Sequence, residues 1–256
     1  MKRRFFINPE QIPEQIKESK IIIAEPDANH MKNVLRLKQQ DFVILFDGKG
    51  KEFDAVIDKF IPEGVQVSIL GKINSSKESR AQITIAQGFL KEKKMDVLIR
   101  QLTELGINKW IPFFAERSIA KPDKKRLASR TQRWEKIAQE SLKQCRRSCV
   151  PEICPSLSYE NMLAYSENCD LKLVFWEQTP ENQQANQESI FKIPAAQNHK
   201  NIFAVIGPEG GLSTKEIELA ENKGFTTASL GPRTLKAETA SIAATTLLQH
   251  FFGDLK

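Results

Sequence analysis

The chain is poor in the residue types that most often announce a chemistry. Four cysteines, Cys145, Cys149, Cys154 and Cys169, are too few to staple 256 residues together, and they lack the paired C-x-x-C spacing of a zinc site. Three histidines, His30, His199 and His250, are scattered and form no ligand pattern with them. No apolar run approaches the roughly 20 residues of a membrane span. The basic start Met1-Lys2-Arg3-Arg4 is followed by Phe5-Phe6-Ile7 and then by Asn8, Pro9, Glu10 and Gln11, not by the long apolar stretch of a signal peptide. A cytoplasmic protein with reduced cysteines and no metal is therefore expected. Neither G-x-G-x-x-G nor G-x-x-x-x-G-K-[ST] occurs, which disfavours dinucleotides and nucleoside triphosphates.

Two glycine-bearing loops near the C-terminus are what stands out. Ile202-Phe203-Ala204-Val205-Ile206 reads as a buried strand leading into Gly207-Pro208-Glu209-Gly210-Gly211, and Leu230-Gly231-Pro232-Arg233 follows a second short run. Glycines let the main chain approach a ligand closely. Ser213-Thr214-Lys215-Glu216 has capping-box spacing and Gly224 is placed to end the helix it starts. Glu209 would repel a pyrophosphate, so a neutral or cationic nucleoside suits this loop better. S-adenosylmethionine, with a sulfonium, an adenine and no phosphate, is a ligand of that kind.

Charge is unevenly spread. Between Arg117 and Arg147, eleven Lys or Arg face three acids, so this segment carries +8 while the whole chain carries +6. A polyanion is the natural partner, although a solvated helix face would use charge in the same way.

The first 70 residues have β character. Asp41–Asp47 and Glu52–Ile57 flank Gly48-Lys49-Gly50, and Gly64–Ile69 follows Pro62, which predicts hairpin-linked strands in a small barrel or sandwich with one helix around His30–Leu35. We place this β domain at 1–72 and a polar linker at 73–80. From 81 to 256 strands alternate with helical patterns, the signature of a mainly parallel α/β sheet. Strands are expected at Ile83–Ala86, Trp110–Phe114 and Leu171–Phe175, and helices at Met95–Leu105 and Leu127–Arg147, the latter ended by Pro151. Thr179–Gln197 is polar and Gln-rich and reads as a loop. Trp134, Ile137, Ala138, Ser141, Leu142 and Cys145 share one helical stripe, which makes Cys145 a core side chain. Ala240, Ala243, Ala244, Leu247, Leu248 and Phe251 make another, suited to the core or to a partner subunit.

Ile206-Gly-Pro-Glu-Gly-Gly211, Leu230-Gly231-x-Arg233 and Glu238-Thr239-Ala240 resemble the SPOUT methyltransferases, specifically the family that methylates N3 of a uridine in 16S ribosomal RNA. Arg3-Arg4-Phe5-Phe6, His30, Val34-Leu35-Arg36, Leu45–Gly48, Lys94-Met95-Asp96, Thr103–Gly106, Glu116–Ser118, Arg133-Trp134, Gln144, Arg147 and Val150–Glu152 extend the likeness over nearly the whole chain. The resemblance implies a C-terminal α/β domain with a deep trefoil knot, preceded by a PUA-like β-barrel, in a homodimer. It implies S-adenosylmethionine held by Ile206, Gly207, Pro208, Glu209, Gly210, Gly211, Leu230, Gly231, Leu235 and Thr239.

Methylation at N3 needs the weakly acidic imide deprotonated, or its developing charge stabilised, as it attacks the methyl group in line. Arg233 and Lys236 are the candidate cations. Glu238 is a candidate to accept the proton or orient a cation, with helix capping as its plain alternative. Because N3 lies on the Watson–Crick edge, the target uridine must be unpaired. Lys2, Arg3, Arg4, Arg36, Lys91, Lys94, Arg117 and Arg147 are the expected RNA contacts. Relatives commonly carry arginine where this chain has Lys236, lysine at Gln101 and glycine at Arg146. Ribose 2′-O-methylation, a binding-only role in ribosome assembly, and a metal-dependent or nucleotide-using enzyme are the competing readings.

Overall fold

The structure is a computed structural model describing residues 2–12, 19–73, 78–91, 93–118, 123–177, 188–189 and 199–255. Two compact units divide the chain: Met1–Glu78 with Gln139–Val150, and Ser79–Ala138 with Pro151–Lys256. Residues 74–77 of the expected linker lie outside the described residues.

The first unit contains β1 (Arg3–Phe6), β2 (Lys20–Ile23), the helical turn α1 (Asp27–Asn29), β3 (Phe42–Phe46), β4 (Glu52–Ile61) and β5 (Gly64–Ile73). They form a five-stranded sheet in the order β1-β3-β4-β5-β2. Alternation explains the face that is buried, since Phe53, Ala55 and Ile57 of β4 and Val65, Val67 and Ile69 of β5 point into one core with Phe5 and Met31. The expected hairpins are present. β1 and β2 are additional, and β1 pairs parallel with β3 at Phe5 and Leu45. At four residues each they are too short to show a period. α1 begins earlier than expected and runs on as a π-helical turn, His30–Val34, in which the Leu35 N–H donates to the His30 carbonyl at 2.9 Å.

Residues 139–150 complete this unit through two buried arginines. Arg4 Nη2 donates to Glu52 Oε1 at 2.7 Å and to the Arg147 carbonyl at 2.8 Å. Arg147 holds Glu78 Oε2 through Nε at 3.1 Å and Nη2 at 2.8 Å. Glu78 Oε1 accepts from the N–H groups of Ser148 and Cys149 at 2.9 and 3.0 Å. Such buried pairs cost about 3–5 kcal/mol to break from one side, because the remaining charge is left without water.

The second unit contains β6 (Gln82–Gly88), α2 (Lys94–Glu104), β7 (Lys109–Phe114), α3 (Lys124–Cys145, which ends in the first unit), β8 (Glu152–Ile153), β9 (Leu157–Ser158), α4 (Tyr159–Ala164), β10 (Leu171–Phe175), β11 (Glu188–Ser189), β12 (Asn201–Ile206), α5 (Thr214–Asn222), β13 (Thr226–Ser229) and α6 (Ala237–Phe252). Its sheet runs β11-β13-β10-β12-β6-β7-β8, with β9 also on β7, and every pairing is parallel. β12 is buried from Ile202 to Ile206, as a strand covered on both faces must be.

Several expectations need correction. Within the stretch read as a loop, Glu188–Ser189 is a strand paired with Ala228–Ser229; residues 179–187 and 190–197 lie outside the described residues. α3 stops at Cys145, where Arg146 takes a left-handed φ of 65°, and not at Pro151. Trp134, Ala138, Ser141 and Leu142 are buried, but Cys145 is only half-buried. On α6 the inward face is Ala237, Ser241, Ala244, Thr245, Leu248 and Gln249, so Ala240, Ala243, Leu247 and Phe251 are left on a half-exposed flank. Its buried polar groups are hydrogen-bonded: Ser241 and Thr245 donate to carbonyls one turn back at 2.8 and 2.7 Å, and Gln249 Nε2 reaches the distant Gly106 carbonyl at 3.1 Å.

Candidate active site

The carboxyl ends of β13, β10 and β12 lie side by side, with Phe175 in register with both Ala228 and Ile206. Ligands of open parallel sheets bind beyond such ends. Here they frame a cavity of about 430 Å³. One wall is the Gly207–Gly211 loop, another is Ser229–Lys236, and the floor is Phe175, Trp176 and Glu177.

The first loop is held at both of its ends. Beyond it, α5 opens with a complete capping box: the Glu216 N–H donates to Ser213 Oγ at 3.4 Å and the Ser213 N–H donates to Glu216 Oε2 at 2.9 Å. Before it, the buried Gln87 Nε2 donates to the carbonyls of Gly88 and Gly207 at 3.1 and 3.3 Å, and its Oε1 accepts from Ser241 Oγ of α6. Gly88 allows this closeness. A Cβ built there would sit 2.4 Å from Pro208 N and 2.7 Å from the Gly207 carbonyl carbon. Gly211 turns the loop with a φ of 71°, in the region that disfavours side chains.

Of the residues expected to hold a cofactor, Ile206, Gly207, Pro208, Glu209, Gly211, Leu230, Gly231 and Leu235 line the cavity. Gly210 instead backs onto Arg117, whose carbonyl would lie 3.0 Å from an added Cβ, and Thr239 is exposed on α6 outside the lining. Arg233 and Lys236 line the cavity and are exposed. Glu238 does not line it.

Lys94 was expected on the RNA-facing rim, and it also lines this cavity. Its Nζ donates to Glu209 Oε1 at 3.1 Å and is 3.3 Å from Glu238 Oε1. The hydrogen bond to Glu209 is the main cause of a raised Lys94 pKa, which burial opposes and Glu238 reinforces. For Glu209, burial pushes the carboxyl up, and this is outweighed by Lys94, the Lys91 N–H and its own N–H, so that its pKa is lowered. Two carboxylates of the site are thereby tied to one cation.

The remaining expected RNA contacts separate by burial. Arg3, Arg36, Lys91 and Arg117 are exposed, and Lys2 is paired with Asp54 on the surface. Arg4 and Arg147 are not surface cations: both are buried, in the pairs with Glu52 and Glu78. Arginines in sequence cannot be told apart by composition, because the deciding variable is the carboxylate that folding brings to them. Phe175-Trp176-Glu177, Gln87 and Gly88 were not among the site residues expected from sequence. Their only signal was position at the end of an apolar strand.

Burial raises the thiol pKa of Cys149, Cys154 and Cys169, that of Cys154 to about 11. Among the described residues, no group of three or more His, Cys, Asp or Glu could hold a metal ion.

A model of the RNA methyltransferase domain matches residues 77–249, and one of the RNA methyltransferase PUA domain matches residues 23–70. The ribosomal RNA small subunit methyltransferase E of Mesomycoplasma hyopneumoniae is 30% identical over 239 residues, 93% of this chain and 95% of that protein. The chain belongs to the ribosomal RNA small subunit methyltransferase E family. The protein of that name from Bacillus subtilis is 29% identical and covers 97% of this chain and 96% of its own length. Solved structures agree. One, of the Neisseria gonorrhoeae family member bound to S-adenosyl methionine, superposes with a TM-score of 0.85 at 28% identity and full coverage of both chains. Another, of a Legionella pneumophila protein described as a methyltransferase with bound cofactor SAM, gives 0.87 at 30% identity, again over 100% of each chain.

Proposed function

We propose that this protein transfers a methyl group from S-adenosylmethionine to N3 of a specific uridine in the 16S ribosomal RNA of the small subunit. The observation that carries the reading is the cavity of about 430 Å³ at the ends of β10, β12 and β13, in a chain whose family members include one solved with this cofactor. The residues suit the ligand. Phe175, Trp176, Leu212 and Leu230 offer apolar contacts for an adenine, Gly207 and Gly231 line the cavity without side chains that would fill it, and Glu177 and Glu209 favour a cation over a phosphate. When bound, S-adenosylmethionine supplies an electrophilic methyl group.

The protein's own groups then have distinct tasks. Arg233 and Lys236, exposed at the cavity, stabilise the negative charge that develops on the uracil oxygens as N3 loses its proton. Lys236 supplies a point charge where arginine would supply a planar fork. Of the two active roles considered for Glu238, orienting a cation is the better supported, because its Oε1 faces Lys94 and the residue lies outside the cavity lining. The exposed Arg3, Arg36, Lys91 and Arg117 contact RNA phosphates.

The finer architecture belongs to the same proposal. We assign the C-terminal unit to the SPOUT superfamily with a deep trefoil knot, and the N-terminal unit to a PUA-like barrel. The knot assignment is supported by the two cofactor loops leaving strands β12 and β13, which flank β10. A homodimer is supported by the half-exposed apolar flank of α6, Ala240, Ala243, Leu247 and Phe251. The protein acts in the cytoplasm, where its substrate is made; among the described residues no helix is long and apolar enough to cross a membrane.

The test is methyl transfer from labelled S-adenosylmethionine to small subunits from a strain lacking this protein, followed by nucleoside mass spectrometry. The expected product is 3-methyluridine, and Arg233→Ala lowers kcat/KM about 100-fold while leaving cofactor affinity unchanged. A ribose-methylated nucleoside, or cofactor binding without transfer, refutes the uridine-N3 reading.

A further inference from the structure

A second cavity, of about 590 Å³, lies wholly within the first unit. Three stretches distant in sequence build it: β1, the turn from Pro26 to Leu35, and residues 140–144. Its charges are largely cancelled by neighbours. Arg4 is paired with Glu52, and Lys143 lies 2.8 Å from both Asp27 and Glu140. A polyanion therefore finds little net attraction inside it.

What is left over is neutral. Among the described residues the side chains of His30 and Gln144 have no hydrogen-bond partner, and both are exposed at the cavity. Asn29 Oδ1 accepts from Asn33 Nδ2, which leaves the Asn29 amide N–H groups available. Beside them Val34, 63% exposed, presents an apolar surface at the cavity. An imidazole and two amides that donate and accept, next to an apolar surface, match the edge and the face of a nucleobase. Arg3, exposed at the same cavity, is placed for a single phosphate. The volume falls in the usual range for a small ligand, roughly 300–1,000 Å³. The His30–Val34 segment is π-helical, an irregularity that recurs at functional sites because it turns side chains off the regular helical track.

We propose that this cavity is a nucleotide subsite: it takes one unpaired nucleotide of the substrate RNA, other than the methylated uridine, with the base between Val34 and the His30, Gln144 and Asn29 side chains and its phosphate at Arg3. The assignment rests on the reading of the protein as an RNA methyltransferase. It makes recognition depend on two splayed nucleotides, one per unit, rather than on backbone charge alone.

The experiment uses the full chain with His30→Ala and Gln144→Ala combined, and separately Val34→Asp; all three positions are exposed, so folding is preserved. Steady-state methylation of small subunits is measured with calorimetric S-adenosylmethionine binding, and RNA carrying 4-thiouridine is photocrosslinked to the wild type. The subsite predicts a KM for the subunit raised at least 10-fold in both variants, unchanged kcat and cofactor affinity, and a crosslink in the peptide containing His30–Leu35. An unchanged KM, a fall in cofactor affinity, or crosslinks confined to other peptides overturns it. Absence of methyl transfer by the wild type would refute the parent reading instead, and the crosslink would still report on the subsite.

Discussion

Lys94 donates to Glu209 at 3.1 Å, so the first turn of α2 is tied to the middle of the glycine loop that walls the principal cavity. The same ammonium lies 3.3 Å from Glu238 in the first turn of α6. Three elements remote in sequence meet at one cation. Its surroundings are partly exposed, so its worth to overall stability is small, and its effect is on the position of the loop.

Lys94→Met is expected to weaken S-adenosylmethionine binding about 10-fold by calorimetry while lowering stability by less than about 1 kcal/mol. The pH dependence has a definite sign. Glu209 titrates below its ordinary 4.5 in the folded protein, so its contribution is present above 4.5 and is lost as pH falls through the lowered value. Lys94 titrates above 10.5, so its contribution is present below 10.5 and is lost as pH rises through the raised value. The stability difference between wild type and variant should thus be flat from about pH 5 to 10 and shrink beyond both ends. A difference that grows in acid would count against the pair.

Arg4→Met should destabilise the protein by about 3–5 kcal/mol in urea denaturation, because Glu52 is left charged and buried. Lys2→Ala, which breaks an exposed pair two residues away, should cost less than about 1 kcal/mol. Equal losses would mean that burial does not separate the two residues.

Gly88→Ala places a Cβ 2.4 Å from Pro208 N, where only backbone movement makes room. The expected result is a displaced Gly207–Gly211 loop, seen as at least a 10-fold loss of cofactor affinity, with about 1–3 kcal/mol lost in stability. Gly71→Ala in β5 meets nothing within 4 Å and serves as the control, neutral or slightly stabilising. Unchanged cofactor binding in Gly88→Ala would show that the loop tolerates the shift.

Much was legible without coordinates because it is local. β10 spans Leu171–Phe175 as its apolar run predicts, and α5 starts at the Ser213–Glu216 capping box. Both glycine loops follow strands, as turn chemistry requires, and eight of the ten residues expected at the cofactor line one cavity. Such features depend on neighbours within a few positions, where periodicity and backbone preference decide the outcome. They needed no knowledge of what packs against them.

Tertiary structure decided the rest. Arg3 and Arg4 are adjacent in the chain, yet one is exposed and the other is buried against Glu52, 48 positions away. Strand alternation sends neighbouring side chains to opposite faces, and only the pairing of β1 with β3 determines which face receives which residue. In the same way Lys94 became part of the cavity wall, and Ser241 and Gln249 rather than the more apolar flank of α6 turned inward, where Gln87 of β6 and the Gly106 carbonyl after α2 meet them only once these elements are packed. The composition of the chain specified the donors and acceptors. Which of them face solvent, a ligand or one another was set by long-range contacts that no local window contains.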